Sequence, residues 1–361
     1  MRNAAGLSRP IKILLISYSF APVIGGLETA SLLFAVGFAK RGYDVTVVTN
    51  TPGKIENYPF KLVRSPTYAE LLRLVRWADV VWHNNITLRS YWPLIISPRP
   101  FLVTHQTWLG LQGPAGWRAA VKRLACVRAR NVFISRAIAD AAALRGPVIP
   151  NAYDNATFRE FPEVMRERDV AFVGRLVSDK GADSLIEAIA ILALRELSVR
   201  TTIIGNGPEY HSLKARAVAL GVEQQVVFSG AMQGTALARE LNRHQILAVP
   251  SRWNEPFGIV ALEGIACGCV VVGTSGGGLP EAIGPCGLTV PNDATSALAD
   301  ALASLIQDPN AIDACRQGAS AHLSKFRMET VLNAYEAVIR DMVQSSPAGK
   351  IARVLRQIPL L

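Results

Sequence analysis

Short runs rich in valine, isoleucine and leucine alternate with longer helical stretches along the whole chain. That alternation leaves little room for anything but parallel sheets with helices on both faces. In the first half the predicted strands are IKILLIS (11–17), DVTVVT (44–49), DVVW (79–82), FLVT (101–104), NVFIS (131–135) and PVIP (147–150). Residues 151–168 lose the periodicity, carry Pro162 and several charges, and read as a linker. The scheme then repeats in DVAFVG (169–174), RTTIIG (200–205), QVVFSG (225–230), ILAVP (246–250), CVVVGT (269–274) and GLTV (287–290). The expected organisation is α/β: a Rossmann-like domain over 1–160, a second over 169–330, and a C-terminal helix and tail over 331–361, with a cleft between the two doubly wound domains. The tail, IARVLRQIPLL, is basic and amphipathic. It either packs back across the first domain or lies on a lipid surface.

The composition agrees with this reading. A chain of 361 residues, half of them apolar and 18% charged, can bury two cores and is neither disordered nor fibrous. Five cysteines, of which only Cys267 and Cys269 lie close together, make neither a disulfide framework nor a zinc site, so a reducing compartment is expected. The apolar run near the N-terminus is interrupted by Lys12 with no small-residue cleavage site after it, so no secretory signal is read. No uncharged apolar stretch approaches the 18 residues of a spanning helix. The expected location is the cytoplasm, free or peripheral at the inner face of the cytoplasmic membrane.

Charge is unevenly divided. Residues 1–168 hold 22 Lys and Arg against 10 Asp and Glu, whereas residues 169–361 hold 16 against 18. The excess includes Arg118, Lys122, Arg123, Arg128 and Arg130 in one helical run, together with Arg73, Arg76, Arg89 and Arg99. Each such residue near an anionic leaflet contributes about 1 kcal/mol, which suits a membrane partner; a solvated basic face has the same sequence. Aromatic residues do not interleave with the basic run, so no nucleic-acid partner is expected.

In open parallel sheets, ligands gather beyond the carboxyl ends of the strands. Arg175 and Lys180 lie there in GRLVSDKG, a pair suited to a diphosphate. Gly205 and Gly207 follow another strand, and Gly276, Gly277 and Gly278 a third, where backbone amides can approach phosphate oxygens. Gly25 and Gly26 repeat that geometry in the first half. Glu263 is the only charge between Phe257 and Gly273, on an apolar helix expected to begin near Pro256. Glu255 stands eight residues earlier, on the same helical stripe if it is close to the helix start. His83 and His105 end two strands and could bind a sugar hydroxyl or carry a proton. No D-x-D, H-E-x-x-H or Walker sequence occurs, so no metal site is expected, and the missing G-x-G-x-x-G weakens a dehydrogenase reading.

Taken in order, GGLE (25–28), VGRLVSDKG (173–181), GNGPE (205–209), Glu255 through Glu263 as an E-x7-E pattern, and GGGLPE (276–281) resemble the retaining GT-B glycosyltransferases of glycosyltransferase family 4. The likeness is strongest over about 170–285. It implies a GT-B fold and transfer of a hexose-type sugar from a nucleotide-diphosphate sugar, a co-substrate with no other cofactor, to a glycan or lipid-linked glycan acceptor. Cell-envelope or exopolysaccharide biosynthesis would be the setting. It further implies that Glu263 holds the donor ribose, Glu255 contacts the sugar, Arg175 and Lys180 bind the diphosphate with Gly25 and Gly26, and His105 approaches the transferred sugar. Ser135 and Asn151, with His83, would lie on the acceptor side. Two departures stand out: Ala152-Tyr153 where Gly-Val is common, and Gly264 where alanine is usual, at a helix-propensity cost of about 1 kcal/mol. The alternatives are a nucleotide-sugar epimerase of the same architecture and a non-catalytic sugar-nucleotide-binding subunit; the two glutamates together argue against both.

Overall fold

The structure, a computed structural model, describes residues 9–23, 25–54, 57–109 and 117–346, with 117–119 as backbone alone. The basic tail and the side chain of Arg118 lie outside the described residues. The chain divides into two compact units, Met1–Ala152 with Met328–Leu361, and Tyr153–Arg327.

In the first unit six parallel strands form one sheet: β1 Lys12–Ile16, β2 Asp44–Thr49, β3 Lys61–Arg64, β4 Val80–Asn84, β5 Phe101–His105 and β6 Arg130–Phe133. Their order is β3-β2-β1-β4-β5-β6. β1 is central, pairing with β2 on one side and β4 on the other, which is why its run is apolar throughout after Lys12. Two strand expectations change. PVIP pairs with β6 only through a Phe133–Val148 bridge, because prolines at both ends remove donors a ladder needs. KLVR, with a charge at each end, is an edge strand, so its polarity concealed it.

The helix Met328–Ser345 packs into this unit rather than the other. Its Tyr335 is fully buried, stacks on Trp82 at 4.9 Å and meets Phe34 at 4.8 Å. Side chains of this size contribute roughly 1.5–3 kcal/mol each on burial. Gly37, in the helix Gly26–Lys40, leaves the space that Leu332 fills.

The second unit repeats the plan with β7 Arg168–Val173, β8 Thr201–Ile204, β9 Val226–Gly230, β10 His244–Val249, β11 Val270–Thr274 and β12 Gly287–Val290. The order β12-β11-β10-β7-β8-β9, taken from β9, is the winding of the first sheet. Each sheet reverses direction once, between β1 and β4 and between β7 and β10, and a ligand crevice opens at such a reversal. Leu185, Ile186, Ile189 and Leu192 of the helix Ala182–Leu194 form one face of the core. Residues 153–167, read as linker, are packed onto this unit: Phe158 and Phe161 are buried, and the Phe161 amide donates to Asn242 Oδ1 at 2.8 Å. No helix among the described residues is long and apolar enough to cross a membrane.

Candidate functional site

At the reversal of the second sheet, the loops after β7 and β10 meet through side chains. The turn Ser178–Lys180 carries Lys180, whose Nζ lies 2.6 Å from Glu255 Oε1. Ser251 Oγ donates to the same oxygen at 2.7 Å, and the ammonium sits 5.5 Å from the centre of the Trp253 ring. Glu255 is only 8% exposed, and a carboxylate so placed requires a cation and a donor to offset lost hydration. Arg175, two residues beyond β7, is exposed, and its guanidinium forms no ion pair among the described residues. The structure therefore joins Lys180 to Glu255, a pair 75 residues apart, and leaves Arg175 facing solvent.

The glycines divide by what their backbones touch. A Cβ on Gly205 would strike the Gly174 carbonyl, and one on Gly207 the backbone of Leu176. Leu176 donates to the Asn206 carbonyl at 2.9 Å and accepts from Glu209 at 3.1 Å, so these glycines let two strand-end loops lie backbone to backbone. The amides of Gly276 and Gly278 are taken, by Asn292 Oδ1 at 2.9 Å and the Glu255 carbonyl at 2.7 Å. This corrects the expectation that the whole glycine run offers amides to phosphate: two of the three already have protein acceptors. Gly277, at φ +76°, pairs with Glu255 in a parallel bridge.

A second correction concerns the glutamates. The helix opens at Ile259, with Gly258 in the left-handed region before it, three residues later than Pro256 suggested. Glu255 is thus in an extended segment held against Gly277, and it shares no helical stripe with Glu263. Glu263 does lie on the helix Ile259–Ala266, and its carboxyl group makes no hydrogen bond among the described residues. Burial, with the like charge of Asp154, pushes its carboxyl up to about 8. It retains some surface contact, yet protein surrounds it enough that at neutral pH it is an acid able both to donate and to accept.

In the first unit, the two histidines are enclosed. His83 is fully buried against Phe101 with neither ring nitrogen partnered among the described residues, and burial lowers its pKa to about 3. His105 stacks on Phe133 at 4.8 Å and donates from Nε2 to Asn131 Oδ1 at 2.8 Å, a tautomer assigned because Asn131 Nδ2 donates to the Cys126 carbonyl. Neither ring reaches the surface, contrary to the expected outward placement. Their neighbours form the polar strand-end chain instead. Asn84 Nδ2 donates to Ser31 Oγ at 2.6 Å and Gln106 Nε2 to Asn84 Oδ1 at 2.9 Å, while Gln106 and Asn151 exchange hydrogen bonds at 2.9 and 2.7 Å. Ser17 continues it to Ser31 at 2.8 Å. Asn151 belongs to this chain, whereas Ser135 caps the helix Arg136–Ala142 by accepting from Ile138 N at 3.3 Å. Gly25 precedes the helix Gly26–Lys40 in extended backbone, with the Glu28 carboxylate folded over it.

Residues 154–322 match the family described as glycosyl transferases group 1. That stretch lies within the second unit, Tyr153–Arg327. Over 208 residues the chain is 34% identical to a D-inositol 3-phosphate glycosyltransferase of Corynebacterium jeikeium (strain K411), covering 54% of this chain and 49% of that protein. The chain thus spans about half the length of that relative. It is 28% identical over 353 residues to a GDP-mannose-dependent alpha-(1-6)-phosphatidylinositol monomannoside mannosyltransferase of Mycolicibacterium smegmatis (strain ATCC 700084 / mc(2)155), covering 82% of this chain and 90% of that one. Among solved structures, Anabaena Alr3699/HepE in complex with UDP and glucose superposes with a TM-score of 0.78 at 20% identity, covering 92% of this chain and all of that one. The fold is of the GT-B type, as the motifs implied.

Within the matched stretch, Gly264 has a packing reason: a Cβ there would meet Leu247 of β10, so glycine lets the Glu263 helix approach the sheet. Sequence reasoning gave no role to Ser251, Arg252 or Trp253 and overlooked Asn292. The strand-end rule did mark the stretch 251–258 that holds the first three, just after β10. The same rule pointed at His83 and His105 when the hydrogen-bonded polar chain used Asn84 and Gln106, because successive side chains along a strand point to opposite faces.

Proposed function

We propose that this protein transfers a hexose-type sugar from a nucleotide-diphosphate sugar to a glycan or lipid-linked glycan, with retention and without a metal ion, in building a cell-envelope or exopolysaccharide glycan. The observation that carries the reading is the Lys180–Glu255–Ser251 cluster at the sheet reversal of a group 1 domain. On this reading Lys180 and Arg175 receive the diphosphate, and the N–H of Gly277, which has no acceptor among the described residues, adds to them. Glu255, oriented by Ser251, contacts the sugar, and the protonated Glu263 exchanges hydrogen bonds with the ribose hydroxyls. Negative charge grows on the departing diphosphate as the glycosyl bond breaks. Cations already fixed there stabilise that transition state more than the ground state. Gly205, Gly207, Gly276 and Gly278 act by shaping the loops. In the first unit the acceptor-side roles rest with Asn151 and Ser135, and His83 and His105 support them from within.

The two curated relatives are named for an inositol phosphate and a phosphatidylinositol mannoside, which supports a polyol or glycolipid acceptor. A peripheral place on the cytoplasmic membrane is supported by the helix Trp117–Val127, which exposes Val121, Leu124 and Val127 beside Arg123 and Arg128. The deciding experiment is a thermal-shift panel with UDP-glucose and GDP-mannose among other nucleotide sugars, followed by NMR of the product anomer and a parallel run with chelator. Stabilisation by one donor, a retained anomer and indifference to chelator are expected. Failure of every nucleotide sugar to stabilise the chain would refute the reading.

A further inference from the structure

Four strand-end loops of the second unit are tied together by two side chains that touch none of the groups assigned to substrate. Arg252 reaches three ways: its Nε lies 2.8 Å from Asp293 Oδ1, its NH2 2.8 Å from Asp183 Oδ2, and its NH1 donates to the Ser178 carbonyl at 3.3 Å. Its backbone amide donates to the Asp179 carbonyl at 2.9 Å. It therefore grips both the turn that bears Lys180 and the helix start that follows it. Asn292 gathers the rest. Its Nδ2 faces the carbonyls of Ser251, Arg252 and Trp253 at 3.3, 3.2 and 3.3 Å, and its Oδ1 accepts from Gly276 N at 2.9 Å.

We infer that Arg252 and Asn292 are positioning residues, which hold the Lys180 turn, the Glu255 segment and the glycine loop in one fixed arrangement around the diphosphate. The physical case is preorganisation. Lys180 stands on a three-residue turn, and a lysine side chain carries much rotamer freedom, so its ammonium is a useful point charge only if the backbone beneath it is fixed. A guanidinium with three separately directed contacts restrains that backbone in a way one ion pair cannot. Asn292 restrains the opposite side by binding the segment from Ser251 to Trp253, just before Glu255, to the loop that supplies Gly277. A purely structural role would make both residues matter equally for every ligand. A positioning role makes them matter for the diphosphate alone.

The inference rests on the donor reading above, and calorimetric titration with UDP, GDP, UMP and GMP separates the two. For the base that binds, Arg252→Gln is expected to weaken the diphosphate about tenfold and leave the monophosphate unchanged. In the same assay Lys180→Ala combined with Arg252→Gln should bind no more weakly than Lys180→Ala, since Arg252 acts through that lysine. Should Arg252→Gln not fold, Asn292→Asp keeps the acceptor for Gly276, loses the donors to three carbonyls, and should show the same selective loss. Diphosphate binding equal to wild type, equal losses for mono- and diphosphate, or additive losses with Lys180→Ala would each overturn the positioning role while leaving the donor reading intact. A wild-type chain that binds neither diphosphate would overturn both.

Discussion

Replacing Glu263 by glutamine tests the electrostatics of the site most directly. The folded carboxyl holds its proton to about pH 8, because burial and the charge of Asp154 disfavour ionisation, whereas the unfolded chain releases it near 4.5. Between those values the folded state binds more protons than the unfolded one, so stability must fall as pH rises. At about 1.4 kcal/mol for each tenfold change in proton affinity, the loss reaches on the order of 5 kcal/mol above pH 8 and is absent below about pH 4.5. An amide of similar shape has no proton to lose. Urea unfolding at pH 5, 7 and 9 should therefore find Glu263→Gln close to wild type at pH 5 and progressively more stable than wild type at pH 7 and 9. Parallel stability curves for the two proteins across that range would refute the claim that this carboxyl is held neutral by its surroundings.

Arg175→Ala should lower turnover by a factor on the order of a hundred through lost stabilisation of the leaving group. The unfolding midpoint should not move, because the guanidinium is exposed; near-wild-type kinetics would remove Arg175 from the site. Gly205→Ala should cost about 1–3 kcal/mol of stability in urea unfolding, since a Cβ there meets the Gly174 carbonyl in rigid backbone. An unchanged midpoint would show that the loops can part. In flotation with anionic and neutral vesicles, the wild-type chain should rise with the anionic ones only, and Leu124→Asp should stay behind; equal binding to both vesicle types, or to neither, would end the membrane reading.

Much of the fold could be read before any coordinates because its determinants are local. A buried central strand such as KILLI or VVVGT must be apolar along most of its length, and that pattern survives in one dimension. Edge elements were read less well: KLVR pairs on one side only and tolerates charge, so nothing in its composition separates it from a loop. At the site, position after a strand was enough to single out Arg175, Lys180, Glu255 and the glycine loops. Helix phase was not, since Glu255 is held by a bridge to Gly277 and the helix waits until Ile259.

Spacing and residue type alone determined that this chain winds two parallel sheets and sets cations, carboxylates and glycines at the ends of their strands. Which of those groups meet was decided only by the tertiary structure. It joined Lys180 to Glu255 across 75 residues, gave the amides of Gly276 and Gly278 to partners inside the protein, and closed both histidines into the core. The reason is that strand periodicity is enforced by each segment's own burial, whereas a contact between strand-end loops depends on sheet order, and sheet order is settled when distant segments pack.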